Sequence, residues 1–293
     1  MTVLLFTGVV LAVLLLLALG LRQWGTARWA ALVHAHSAEL DAGSLDAQVR
    51  QGAPARYNAR ELVDLPAPVQ RYFQAVLTDG QPIIQAATLE MQGTMKMSAT
   101  AAQWKPFGSV QSVVTRRPGF LWNAHIDLFP GVPALVEDSY IVGHGRLLVK
   151  LLGWFTLADL QGEGEIARGE FMRYFAETPW YPTALLPSQG VQWQAVDAHM
   201  AQAALADGTH SLTMLFRFNE AGLIASVRAE SRGAASGKDG AMKMLPWDCS
   251  LSDYQHHNGM LIPMTGEAAW VRPEGRQAYF VGHVKALRYA FLH

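Results

Sequence analysis

The chain opens on an uninterrupted apolar run: residues 2–21, TVLLFTGVVLAVLLLLALGL, contain no charged side chain. A hydrocarbon core about 30 Å thick is crossed by roughly 20 residues at 1.5 Å per residue, and unsatisfied backbone groups in lipid force such a span to be helical. The run predicts one transmembrane helix, with the anchor placed at 1–22. A cleavable signal peptide is the other reading, since Ala18-Leu19-Gly20 offers small residues near a processing site. Against it, no Lys or Arg precedes the run, which is also longer than the roughly 7–15 residue apolar core of a secretory signal. Beyond the span, Trp29, Leu32, Val33 and Leu40 recur at near-helical spacing, so a helical neck is expected to continue the anchor. Gly52-Ala53-Pro54 reads as linker, and neck and linker together take 23–60. A second helix is expected from Leu65-Pro66-Ala67-Pro68, because prolines are tolerated in a first turn and Val69, Tyr72, Phe73, Val76 and Leu77 follow with helical spacing. Asp79-Gly80 should end it.

From there the period changes to two. Odd positions are mostly apolar in 89–97 and even ones in 120–128, which predicts strands with two different faces. Further strand-like runs are 136–148, 191–196, 211–218, 223–229, 261–271 and 279–289. Asn219 to Gly222 and Asn258-Gly259 supply the positive φ of tight hairpins. Nine or ten strands joined by short loops predict one antiparallel sheet curling toward a barrel, not a βαβ fold. One helix, 164–177, interrupts the sheet and is followed by a proline-rich aromatic loop, Pro179 to Pro187; residues 232–240 read as a mobile loop. The expected fold class is α+β: a strongly curved antiparallel half-barrel over 61–293 with two helices on its concave face, preceded by the transmembrane helix.

Composition narrows the function. The chain carries 23 Lys plus Arg against 24 Asp plus Glu, a net charge of -1, and only Arg116-Arg117 is dense enough in charge to suggest a phosphate contact, so nucleic acid is not an expected partner. Charged residues are only 16% of the chain, alongside nine Trp, eight Tyr and twelve Phe. Such a chain buries a great deal of aromatic surface or offers it to an apolar partner. Cys249 is the single cysteine, which excludes an intrachain disulfide.

The charged row Glu170, Arg173 and Glu177 falls along one side of the 164–177 helix and runs into the Trp180-Tyr181 loop. It is either an exposed ion-pair row, worth little energetically, or a set of polar groups facing a cavity. Its i, i+4 spacing predicts that Arg173→Ala and Glu177→Ala behave alike. His125, Asp127, Asp138 and His144 lie on neighbouring expected strands, yet only pairs can be argued and a metal needs three or four converging ligands. Adjacent His256 and His257 read as a solvated hairpin tip. G-x-S-x-G, H-E-x-x-H and dinucleotide fingerprints are missing, and 233–239 is one residue short of a phosphate loop and has Asp239 where Ser or Thr should stand. No cofactor and no metal are expected, and an enzymatic role is the less favoured one. Most of Trp104, Trp122, Trp154, Trp180, Trp193, Trp247 and Trp270 should be core, with some lining a hollow on the curved side.

The stretch Arg173-Tyr-Phe-Ala-Glu177…Trp180-Tyr-Pro-Thr-Ala-Leu-Leu-Pro-Ser188, with Pro246-Trp247, Ser252-Asp253-Tyr254, Gly259…Pro263 and Glu267…Trp270, resembles a large family of uncharacterised bacterial proteins, many with an N-terminal membrane helix. The resemblance covers the chain from about residue 60 and implies no reaction. The strand pattern is more distantly similar to the half-barrels of lipoprotein-localisation carriers. Together these point to a single-pass protein of a bacterial inner membrane. Arg22 and Arg28 just past the span lean the domain toward the cytoplasm, and the side stays open. The expected function is a membrane-tethered binder of a lipid or other hydrophobic molecule, with Arg173, Glu177, Trp180, Tyr181, Trp122, Trp247, Tyr254 and Trp270 as ligand-binding residues. A membrane-tethered hydrolase-like enzyme using Arg173 and Glu177, and a structural partner in a membrane complex, are the alternatives.

Overall fold

Antiparallel strands joined by short turns dominate the chain in a computed structural model, which describes residues 2–45, 54–96, 103–129, 131–236 and 241–292. The expected linker residues Gly52 and Ala53, Met97 of the first strand run, and residues 237–240 of the expected loop lie outside them. Thirteen strands form one sheet in these residues: β1 (Ile84–Met95), β2 (Lys105–Val114), β3 (Gly119–Phe129), β4 (Val132–Ile141), β5 (His144–Leu151), β6 (Phe155–Gly162), β7 (Gln192–Ala195), β8 (Met200–Asp207), β9 (His210–Phe218), β10 (Ile224–Ser236), β11 (Ala241–His257), β12 (Met260–Arg272) and β13 (Gly275–Phe291). Their order is β6-β5-β4-β3-β2-β1-β13-β12-β11-β10-β9-β8-β7. Every pairing is antiparallel, and β6 and β7 are free edges, so the sheet is open.

The count exceeds the nine or ten expected, for a local reason. The run 136–148 is two strands, turned at Val142 and Gly143 with φ of 53° and 81°. A β-branched residue at positive φ is costly, so its sequence carries no turn signal. Leu152-Gly153 makes the same kind of turn between β5 and β6, at φ 55° and 78°. The expected loop at 232–240 is corrected as well: β10 continues through it to Ser236, with Arg232 paired to Leu245 of β11.

Helix α1 (Thr2–Leu45) is one continuous helix, α2 (Ala67–Val76) starts on Pro66 and Pro68 as expected, and α3 (Glu165–Ala176) crosses from β6 toward β10. Period-two patterning divides β3 between two layers. Phe120, Trp122, Ala124 and Ile126 join α2, α3 and the loop after α3 in the main core, whereas Leu121 packs with Leu40 of α1 on the opposite face. On that opposite face Trp29 Nε1 donates to Asn123 Oδ1 at 3.0 Å and His36 Nδ1 lies 2.7 Å from Glu137 Oε1. Burial pushes the Glu137 carboxyl up, and His36 works against that shift.

The ends of the sheet approach one another. Asp207, the last residue of β8, takes hydrogen bonds from Arg117 at 3.0 Å and Tyr140 at 2.9 Å, and His210 lies 3.1 Å from the Gly143 carbonyl. The register also puts the hairpins β1–β2, β3–β4, β5–β6, β10–β11 and β12–β13 at one common end. Helix α1 leaves the sheet there: Trp154 Nε1 donates to the Leu21 carbonyl at 2.9 Å, and the rings of Trp24 and Trp154 lie 3.8 Å apart. The preceding segment exposes its large apolar side chains, among them Leu5, Phe6, Leu16 and Leu21, and is long and apolar enough to cross a membrane, a property a signal sequence shares.

Candidate functional site

A cavity of about 240 Å³ lies between α3 and the sheet. Its floor is made by inward-facing residues of central strands, among them Trp122, Val136, Cys249, Gly266 and Ala268, and its roof by Ile166, Glu170 and Arg173 of α3. Two close approaches set the roof. Gly145 of β5 faces the backbone of Ala167 so closely that a Cβ there would sit 2.5 Å from the Ala167 Cα, and at Gly266 a Cβ would sit 2.8 Å from the Trp180 ring. Trp180 is held by its Nε1 donating to the Pro263 carbonyl at 2.8 Å.

Six of the eight residues expected to bind ligand meet at this cavity: Arg173, Glu177, Trp180, Trp122, Trp247 and Trp270. Two lie elsewhere. The Tyr181 hydroxyl is buried behind α3 and donates to the Tyr174 carbonyl at 2.8 Å, and that of Tyr254 donates to the Ile224 carbonyl at 2.7 Å near the opposite end of the strands. Burial raises both phenols above their ordinary range. His125 and Asp127 point outward from β3 and are exposed, and no group of three or more His, Cys, Asp or Glu side chains capable of holding a metal occurs among the described residues.

The charged row is not a solvated face. Glu170 and Glu177 are buried, and the Arg173 side chain is only 14% exposed. Arg173 donates through Nε to Glu177 Oε1 at 2.8 Å, through Nη1 to Asp138 Oδ2, and through Nη2 to Gln111 Oε1 at 3.2 Å. Gln111 Nε2 closes the ring on Glu177 Oε2 at 2.6 Å. The guanidinium also lies over Phe120 and Trp122, 5.0 and 4.9 Å from the ring centroids. Burial alone would lower the Arg173 pKa, but the carboxylates of Glu177, Asp138 and Glu170 outweigh it and hold the cation above its ordinary value.

Two residues that sequence reasoning placed elsewhere complete the set. Asp138 had been grouped with the histidines of its neighbouring strands, and Arg232 with a loop. Arg232 is buried, stacks over Trp247 at 4.4 Å and Trp270 at 5.8 Å, and reaches Glu170 Oε1 at 3.5 Å. Trp247 Nε1 donates to the Tyr279 hydroxyl at 2.9 Å. Asp138 Oδ1 and Glu170 Oε2 are both buried without a hydrogen-bond partner. Burial first, and the Asp138 charge second, push the Glu170 carboxyl well above its usual 4.5, against the pull of Arg232 and Arg173.

A carboxyl raised in this way keeps its proton in the folded chain at pH values where the unfolded chain has released it. The folded state then binds more protons, and stability rises as pH falls toward 4.5 from the raised folded value. Thermal unfolding between pH 7 and pH 5 should show this trend, and Glu170→Gln should flatten it while matching or exceeding wild-type stability at pH 7. A Gln variant that is clearly less stable at pH 7 would mean that Glu170 is ionised in the fold.

Cys249 lines the cavity as a free thiol, and burial pushes its pKa up to about 12. A thiol so shifted is a poor nucleophile at neutral pH.

A family model described as a family of unknown function, DUF6920, matches residues 63–289. Among solved structures, the chain is similar to a LolA superfamily protein, NE2245 of Nitrosomonas europaea, with a TM-score of 0.37 and 10% sequence identity over 81% of this chain and 96% of that one. The comparison with curated proteins gives no match.

Proposed function

The chain belongs to this family of unknown function, and from its own residues we propose that it is a membrane-tethered binding protein for a lipid or another hydrophobic molecule. The observation that carries the reading is the cavity's position. Its lining reaches Met95 at the end of β1, Met242 at the start of β11 and Trp270 near the β12–β13 turn, all at the end of the sheet from which α1 departs. In this reading α2 and α3 lie on the concave side of the curved sheet, the segment 2–21 anchors the chain in an inner membrane, and the cavity mouth faces that membrane.

The hairpin end fits a lipid surface. Phe129, Phe155 and Leu157 are each more than half exposed there, and Lys96, Lys105, Lys150 and Lys243 sit on the same strand ends. Exposed aromatics with lysines are what a membrane interface with anionic lipids attracts. The walls favour binding over catalysis, because aromatic and aliphatic groups dominate them, the thiol is disarmed, and the Arg173 cluster is saturated by its own protein partners.

Native mass spectrometry of the full chain released from membranes should show a co-purifying lipid-sized adduct. Long-chain apolar probes added to the stripped protein should shift Trp emission saturably. Absence of any adduct together with a flat titration would sink the reading.

A further inference from the structure

We propose that the cavity takes a single-chain anionic amphiphile, with a carboxylate or phosphate head group held by Arg232 between Trp247 and Trp270 and the chain running inward past Trp122 and Cys249. This rests on the hydrophobic-ligand reading and adds the number of chains and the charge of the head.

The size argues for one chain. At about 240 Å³ the cavity is below the roughly 300–1,000 Å³ common for small-molecule sites, so it has room for one extended hydrocarbon chain and not for two side by side.

The two arginines on the lining differ in how fully the protein occupies them. Arg173 is consumed by Glu177, Asp138 and Gln111. Glu267 is taken by Arg276 Nη1, and Arg276 also lies 3.8 Å from Asp248. Arg232 is different. Among the described residues its carboxyl contact is Glu170, reached through Nη2 at 3.5 Å, the outer limit of a hydrogen bond. Its Nε and Nη1 donors are left without a partner among the described residues and stand on the cavity wall. The two indole faces pin it without using its N–H groups. Its planar fork matches the two oxygens of a carboxylate or phosphate.

Orientation agrees. Arg232 sits opposite Leu245, with Gly233 and Met242 nearer the β10–β11 hairpin, whereas Trp122, Val136 and Cys249 lie further up their strands. An amphiphile entering from the hairpin end would leave its head at Arg232 and bury its tail.

The test is isothermal titration calorimetry on the full chain in amphipol with four probes of equal chain length: dodecanoate, dodecyl phosphate, dodecan-1-ol and dodecyltrimethylammonium. At least one of the two anions should bind about 10- to 100-fold more tightly than the alcohol, the range expected of a hydrogen bond to a charged group, and the ammonium should bind most weakly. Arg232→Gln should bring the anions to within about twofold of the alcohol, with Arg232→Lys retaining a preference. A stronger dodecanoate response identifies a free fatty acid head group, and a stronger dodecyl phosphate response a phosphate-bearing single-chain lipid. An alcohol that binds as well as both anions, or an ammonium that binds best, overturns the head-group assignment even if Arg232→Gln fails to fold. No binding by any of the four, alcohol included, removes the hydrophobic-ligand reading itself.

Discussion

Arg173→Ala is expected to cost about 3–5 kcal/mol, because it leaves Glu177 and Asp138 buried without their shared cation. For a domain of this size such a loss lowers the unfolding midpoint by roughly 6–20 °C. Glu177→Ala should cost far less. Arg173 would keep Asp138 and Gln111, so the cation stays paired and the loss is confined to the two hydrogen bonds that Glu177 accepts, from Arg173 Nε and Gln111 Nε2. The i, i+4 spacing makes the two substitutions look equivalent, and the third and fourth partners make them unequal. Adding Glu177→Gln to Arg173→Ala should return part of the loss by removing one stranded charge. Arg173→Lys should fall between wild type and alanine, since an ammonium keeps the charge but cannot form the same fork. Thermal unfolding followed by Trp emission separates these outcomes. A midpoint within about 2 °C of wild type for Arg173→Ala would return the row to the status of a solvated face.

Local chemistry made some of this visible from the sequence. The helix at 164–177 was marked by apolar spacing and by Pro179 after its end, and Asn258-Gly259 announced its hairpin. Other elements broke the local rules for tertiary reasons. Strand β2 contains Pro106 and Gly108, which read as breakers, yet Pro106 pairs with Thr94 near the strand start and Gly108 lies under the His125 ring, where a Cβ would sit 2.5 Å away. Strand β8 is built largely on alanine, with Ala201 and Ala203 fully buried, and so lacked the β-branched and aromatic signature of a strand. Edge strand β6 exposes Phe155 and Leu157 and alternates in the wrong sense for a core strand.

The site was half legible for the same reason. Arg173, Glu177 and Trp180 lie within one stretch of chain, so helical spacing alone could bring them together. Asp138 and Gln111 reach Arg173 only because β2, β3 and β4 stack in register beneath α3, which is information held by topology. Arg232 was hidden by its surroundings: small and polar residues on both sides resemble a loop, and only the β10–β11 register, with Arg232 against Leu245, carries it to Trp247.

Ala268→Phe is expected to reduce binding of the twelve-carbon anions by at least about tenfold while leaving the unfolding midpoint unchanged or higher. Ala268 stands on the cavity floor, between Cys249 of β11 and Phe280 of β13. A phenyl ring there projects into the space the chain would occupy. Filling an empty apolar space with atoms adds contacts in the apo protein, and cavity-filling substitutions commonly stabilise by about 0.5–2 kcal/mol. The two readouts should therefore move in opposite directions, which a substitution that merely disturbs the fold would not produce. They also separate two kinds of cavity. If the space is a packing fault, filling it raises stability and affects no ligand. If it is a receptor, the gain in stability comes with the loss of the guest, and the empty space is kept for function. A more stable Ala268→Phe variant that binds dodecanoate and dodecyl phosphate with wild-type affinity would rule the cavity out as the binding site.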